Sequence, residues 1–239
     1  MYQRVANAIR DVDARHILFL GTLMACNMGI RTGIEPLTLR NGSRDPQQAY
    51  APHGYDIVVD TPDLANASSD RVQLIFDRHA ESGKRLGMPV LIGEWGAYGG
   101  SGTEIVPAAE FNARLFEKHL FSDTYWDYGQ EIANASYLPA LVRAAPERVS
   151  GTLVSYANDP EAGTFICVWN EQPAILAPTR IYIPERVRTN GYTVAVEPPG
   201  QPHAEEPLAG DKGAVVLVVP ATGQAMERRM TVTWQPVGP

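Results

Sequence analysis

Glu94 stands in "PVLIGEWGAYGG" (89–100), directly after the apolar run Val90-Leu91-Ile92, with glycines at 93 and 96 and Trp95 beside it. A carboxylate at the end of a buried strand can be a nucleophile, a general acid or base, or a metal ligand; it can equally be a cap or a structural group. A metal site needs two or three more hard or imidazole ligands. His53 and Asp56 qualify by type, but no spacing in the chain compels that reading, and Cys26 and Cys167 form neither a metal pattern nor a disulfide framework. Sugar chemistry asks instead for two carboxyl groups flanking a glycosidic bond and for rings on which a sugar can stack. Tyr55, Trp95 and Trp126 supply the rings, so sugar chemistry suits Glu94 better. Tyr50 and Asp56 are near by sequence alone. His79 and His119 fall on helices and read as structural, and Trp169 and Trp234 alternate with apolar residues as core positions do.

The elements that must position these groups follow from the hydrophobic period. Residues 2–13 read as a helix with Val5, Ile9 and Val12 on one face, and 16–23 as a buried strand. Residues 49–59 carry a second strand and the loop with His53 and Tyr55. The segment 68–87 is a helix, capped by Ser68 or Ser69, closed by Gly87, and burying Val72, Ile75, Phe76 and His79. A third strand at 89–96, a helix at 108–123, a short strand at 124–129 and a helix at 138–151 follow. The irregular stretch 24–47, with Met24, Met28, Ile30, Ile34 and Leu37 among polar residues, reads as a packed loop or, alternatively, a lipid-accepting edge. Buried strands alternating with amphipathic helices indicate an α/β fold with a parallel sheet. His53, Tyr55, Glu94 and Trp126 all fall where strands end, which in α/β barrels is the active face. After Gly151 the period changes to short apolar–polar alternation punctuated by Gly, Pro and Asn, the pattern of a separate antiparallel β-sandwich.

The totals narrow the partners. The 239 residues allow one large domain or two ordinary ones, and 44% hydrophobic with 20% charged residues is a normal globular balance. A net charge of −7 argues against nucleic acid, and against an anionic membrane held by charge alone. No apolar run is long enough to span a bilayer. The opening "MYQRVANAIRDVD" is amphipathic and charged, unlike a secretory signal.

Three strand ends also carry a resemblance. "VLIGEWGAYGG" resembles the seventh-strand nucleophile segment of the family 5 glycoside hydrolases, "YAPHGYD" their sixth-strand His-x-Tyr element, and "YWDYG" their eighth-strand segment. Within that family, "YQRVANAIRDVDARHILF", "LVRAAPERVSGT" and "APTRIYIPERV" resemble the endoglycoceramidase and glucosylceramidase group. The resemblance implies a retaining β-glycosidase of glycosylceramide-like glycolipids, secreted or membrane-associated, with no metal or organic cofactor. Glu94 would be its nucleophile, Tyr55 a hydrogen-bond donor to it, and His53, Trp126 and Trp95 substrate-binding residues, with Trp126 as the floor of the sugar subsite. It further implies that residues 1–150 are half of a (β/α)8 TIM barrel, strands five to eight, and that 151–239 form the sandwich. The family's acid/base glutamate ends strand four, whereas this sequence opens within what would be helix four. Asn170-Glu171 lies in the sandwich and is rejected for that role, and "LFLGTL" has Gly21 where a glutamate is expected. The chain alone is therefore expected to be inactive, with strands one to four and the acid/base supplied by a missing segment or a separate chain. A non-catalytic glycan- or membrane-binding module and a β-glucanase-like hydrolase are the alternatives.

Overall fold

The computed structural model describes residues 1–56, 58–59, 67–98, 100, 102–208, 210 and 213–236. The chain forms two compact units that divide between Leu138 and Pro139. Among the described residues no helix is long and apolar enough to cross a membrane.

The first unit begins with helix α1 (Tyr2–Arg10), followed by strands β1 (Leu18–Leu20) and β2 (Gln48–Tyr50), which pair in parallel from Leu18↔Gln48 to Leu20↔Tyr50. Helix α2 (Ser69–Leu86) leads to β3 (Leu91–Gly96), and α3 (Val106–His119) to β4 (Ser122–Trp126), parallel to β3. Parallel bridges Tyr50↔Val90 and His53↔Glu94 join β2 and the residues after it to β3. Four parallel strands therefore lie side by side in chain order, as expected for part of a barrel. Ser68 caps α2 by accepting from the Arg71 N–H, and Gly87 ends it in the left-handed conformation at φ 59°.

Two sequence expectations fail here for physical reasons. Helix α1 ends at Arg10 and buries Ala6, while Val5 and Val12 are exposed. Polar anchors set its rotation: the Tyr2 hydroxyl donates to the Gly21 carbonyl at 2.7 Å, and Arg10 holds Asp45 at 2.7 Å. Ala6 then packs into a cluster with Leu20, Leu37, Tyr50, Leu86 and Met88. The helix expected over 138–151 is only α4 (Leu138–Leu141); residues Ala145–Arg148 form β5. Pro146 cannot donate to a helix and disfavours helical backbone at Ala145. It is tolerated in β5 because β5 is the outer strand of its sheet.

The second unit contains β5, β6 (Gly151–Asp159), β7 (Thr164–Glu171), β8 (Thr179–Ile183), the short helix α5 (Glu185–Thr189), β9 (Tyr192–Glu197), β10 (Ala204–Pro207), β11 (Val215–Val219) and β12 (Met226–Trp234). Its strands make two antiparallel four-stranded sheets, ordered β10-β11-β8-β5 and β6-β7-β12-β9. Alternate residues of both sheets share one core: Phe165, Cys167 and Trp169 with Met230, Val232 and Trp234, against Ile181, Ile183, Val215, Leu217 and Val219. Glu171 is fully buried in an ion pair with Arg228 and accepts the backbone N–H of Gly223 at 3.0 Å.

Candidate active site

Glu94 lies near the C-terminal end of β3, and its backbone is tied to the segment that follows β2. The Gly54 N–H donates to the Glu94 carbonyl at 2.8 Å, and the Gly93 N–H to the Pro52 carbonyl at 2.8 Å. This pairing brings two side chains from the 53–55 segment onto the carboxylate. The Tyr55 hydroxyl donates to Oε2 at 2.9 Å, and His53 Nδ1 lies 3.3 Å from the same oxygen. The His53 and Tyr55 rings stand at 88° to each other with centroids 6.0 Å apart. Among the described residues Oε1 has no hydrogen-bond partner. The carboxylate is about one-third exposed, with a side-chain accessibility of 32%. Glu94 is thus an oriented carboxylate with one oxygen held and the other open.

Two glycines make this geometry possible. A Cβ on Gly54 would sit 2.8 Å from the Phe76 ring and 3.0 Å from Ile92. Gly96 takes φ +95°, and a Cβ there would lie 2.2 Å from the Tyr125 ring. The glycine before Glu94 makes no such demand.

Trp126 ends β4, opposite Gly96, and is half exposed. It borders a cavity of about 360 Å³ with Tyr98, Tyr125, Asp127, Glu131 and Tyr137. Trp95 does not share the face of Glu94, and the expectation that it contacts substrate is not met. Successive strand residues point to opposite faces, and Trp95 is fully buried between β3, β4 and α3. Its ring lies 4.9 Å from that of Phe116, and its Nε1 donates to Asp123 at 2.9 Å. Adjacency to Glu94 in sequence was misleading for that reason.

Asp56 does not join the site. It accepts from the Ser68 N–H at 2.9 Å, the Val58 N–H at 3.0 Å and Arg71 Nη2 at 3.0 Å, so it braces the start of α2. Burial opposes its ionisation, but those N–H groups and the Arg71 guanidinium outweigh it and hold the pKa below the ordinary carboxylate value. Among the described residues no group of three or more His, Cys, Asp or Glu side chains could hold a metal ion. In the 24–47 stretch, Leu37 is core, whereas Met24, Met28 and Ile30 are exposed. A cavity of about 640 Å³ lies there, lined by Tyr2, Leu23, Cys26, Ile30, Ile34 and Leu37 among others.

His79 of α2 also reaches the site's backbone. Its Nε2 lies 3.0 Å from the His53 carbonyl oxygen and its Nδ1 3.1 Å from the Tyr50 hydroxyl. The sequence signal was an ionisable ring in the otherwise apolar stripe Val72, Ile75, Phe76, which must find polar partners when buried.

Comparison with known proteins bears on the fold and the family. Endo-glycoceramidase II from Rhodococcus sp., solved with a five-membered iminocyclitol, superposes with a TM-score of 0.73 at 22% identity, over 98% of this chain and 54% of that one. Its ganglioside GM3 complex gives a TM-score of 0.73 at 21% identity, over 98% and 53%. Cryptococcus neoformans sterylglucosidase 1 gives 0.60 at 11% identity, over 85% and 41%. The chain therefore spans about half the length of these structures. No curated protein gives a significant match. Residues 143–233 match the glycoside hydrolase family 5 C-terminal domain. Residues 1–132, more than half of the chain, match the cellulase (glycosyl hydrolase family 5) profile, and the chain thus belongs to glycosyl hydrolase family 5.

Proposed function

We propose that this chain carries the nucleophile side of a retaining β-glycoside hydrolase that acts on glycosylceramide-like glycolipids. The observation that carries the proposal is the Glu94 carboxylate, held on Oε2 by Tyr55 and His53 at a strand's C-terminal end. In the reaction, Oε1 attacks the anomeric carbon while the bond to the aglycone oxygen breaks. A carboxylic acid protonates that departing oxygen. The same group then takes a proton from water, which attacks the glycosyl ester and releases Glu94. The Tyr55 hydroxyl orients the nucleophile and is positioned to stabilise its charge. Trp126, half exposed at the end of the next strand, provides the stacking surface for the sugar.

β1 to β4 correspond in this reading to barrel strands five to eight. Strands one to four, with the acid, come from a segment or chain outside this sequence. Phe19 of β1, on the face opposite Leu18 and Leu20, is 54% exposed, so this outer strand offers apolar surface for such strands to cover. The glycolipid preference rests on likeness to endo-glycoceramidase II, while the cellulase description of the matching family favours a β-glucan as the second reading.

The test is to assay the chain alone and mixed with the N-terminal half of a family 5 barrel. Substrates are an aryl β-glycoside, a ceramide glycoside and a soluble β-glucan. The chain alone should turn over only the aryl glycoside, weakly, because general acid help is worth about 10²–10⁴ in rate and an acidic phenol needs it least. The mixture should hydrolyse the ceramide glycoside. Full activity of the lone chain on that substrate would place the acid within this chain, at a group such as Glu35 or Asp127. Activity confined to the β-glucan would select the second reading, and no turnover in any arm would leave a binding module.

A further inference from the structure

We infer that His79 is a positioning residue of the site, holding the peptide unit between His53 and Gly54 through a fixed neutral tautomer. The inference rests on the reading of Glu94 as nucleophile. A carbonyl oxygen can only accept, so the 3.0 Å contact to the His53 carbonyl requires a proton on His79 Nε2. In neutral imidazole Nδ1 is then bare and accepts from the Tyr50 hydroxyl at 3.1 Å. His79 is 1% exposed, and Tyr50, which lies on β2, is fully buried. Desolvation by burial is the main reason the ring stays neutral, lowering its pKa to about 4; the nearby His53 adds to this, while the bond to the His53 carbonyl opposes it.

The peptide gripped in this way is the one that builds the site. Its carbonyl end accepts from His79, and its N–H end, on Gly54, donates to the Glu94 carbonyl at 2.8 Å. The residue before this peptide bond places an imidazole 3.3 Å from Oε2, and the residue after Gly54 places a hydroxyl 2.9 Å from it. Rotation of the peptide would move both side chains together. A side chain three residues beyond the Phe76 ring that already confines Gly54 thereby fixes the other side of the same turn. Such support, one layer behind the reacting groups, is what holds a reactive group in its working geometry.

The experiment uses the full chain with His79→Gln and His79→Leu. Glutamine can donate to the His53 carbonyl and accept from Tyr50; leucine can only fill the space. Imidazole ¹⁵N spectra of the wild type should show the His79 proton on Nε2. Amide exchange at Gly54 should stay within about threefold of wild type in His79→Gln and rise by about tenfold or more in His79→Leu, as expected for one lost hydrogen bond. The rate at which an activated 2-fluoro glycoside labels Glu94 should follow the same order. A proton on Nδ1, or a leucine variant that matches wild type in Gly54 exchange, would overturn the inference, as would equal loss in both variants. If His79→Leu does not fold, Tyr50→Phe replaces it. That change removes the donor to Nδ1 and should accelerate Gly54 exchange, and unchanged exchange would count against the inference. The spectra and Gly54 exchange need no glycoside. A wild type that stays unlabelled with the companion half present, while Gly54 is protected, would therefore refute the nucleophile reading and leave the role of His79 standing.

Discussion

Glu94 differs from an ordinary surface carboxylate in the asymmetry of its partners: Tyr55 and His53 both meet Oε2. A hydrogen bond to a charged group contributes about 1.5–3 kcal/mol, so Tyr55→Phe should slow labelling of Glu94 by roughly 10- to 100-fold. Labelling rates measured across a concentration series of the reagent will separate that loss from weaker binding, because the maximal rate and not the half-saturating concentration should change. That His53 and Tyr55 lie beside Glu94, and that Trp126 ends a strand, was legible in the sequence because residue type and place at a strand end are local properties. Trp95 was misread because the face of a strand residue depends on its parity, and its neighbour at position 94 already occupied the open face. His79 reads as structural, and its burial agrees, but a sequence does not show which backbone carbonyl a helix residue will meet.

Helix α2 couples the site to the stability of the fold through His79. Its folded pKa of about 4 lies below the ordinary 6.5, so between those values the unfolded chain binds the additional proton. Stability should therefore fall as pH drops from about 6.5 towards 4, by up to about 3 kcal/mol. His119 is shifted the same way, chiefly by burial, so the part due to His79 is the difference between wild type and His79→Gln in urea unfolding across that window. The variant should show the flatter profile. Asp45, Asp56 and Glu171 act at lower pH. Each is held below its ordinary value by ion pairing and N–H donors despite burial, so their contribution is present above the ordinary carboxylate range and lost as pH falls below it. At this scale the period of the sequence located α2 and β3 closely, but it ran the helix of α3 to residue 123, past its end at His119, and so started β4 at 124 instead of Ser122. It misplaced the buried face of α1, where polar anchors to Gly21 and Asp45 override a weak apolar stripe. It also missed β5, where pairing with β8 and Pro146 override a helical pattern.

The whole molecule consists of two units, each with its own core. Residues from Pro139 onward should fold as an isolated fragment with a cooperative melt. A fragment starting at Gly151 should melt lower, because it loses β5, the buried Ala144 and the Arg180–Glu147 ion pair. Equal melting temperatures for the two fragments would show that β5 contributes nothing to the second unit. In the first unit β1 to β4 are read as barrel strands five to eight, so the acid is assigned to strands beyond them, and the exposed Phe19 of β1 is surface that those strands would cover. The claim on which everything else depends is that Glu94 forms the bond to the sugar. It is tested most directly by incubating the chain, with the companion half present, with a 2-deoxy-2-fluoro-β-glycosyl fluoride and mapping the adduct by peptide mass spectrometry. The account predicts one added fluorosugar on Glu94, absent in Glu94→Gln. An adduct on any other carboxylate, or hydrolysis of an aryl glycoside by Glu94→Gln at the wild-type rate, would contradict it.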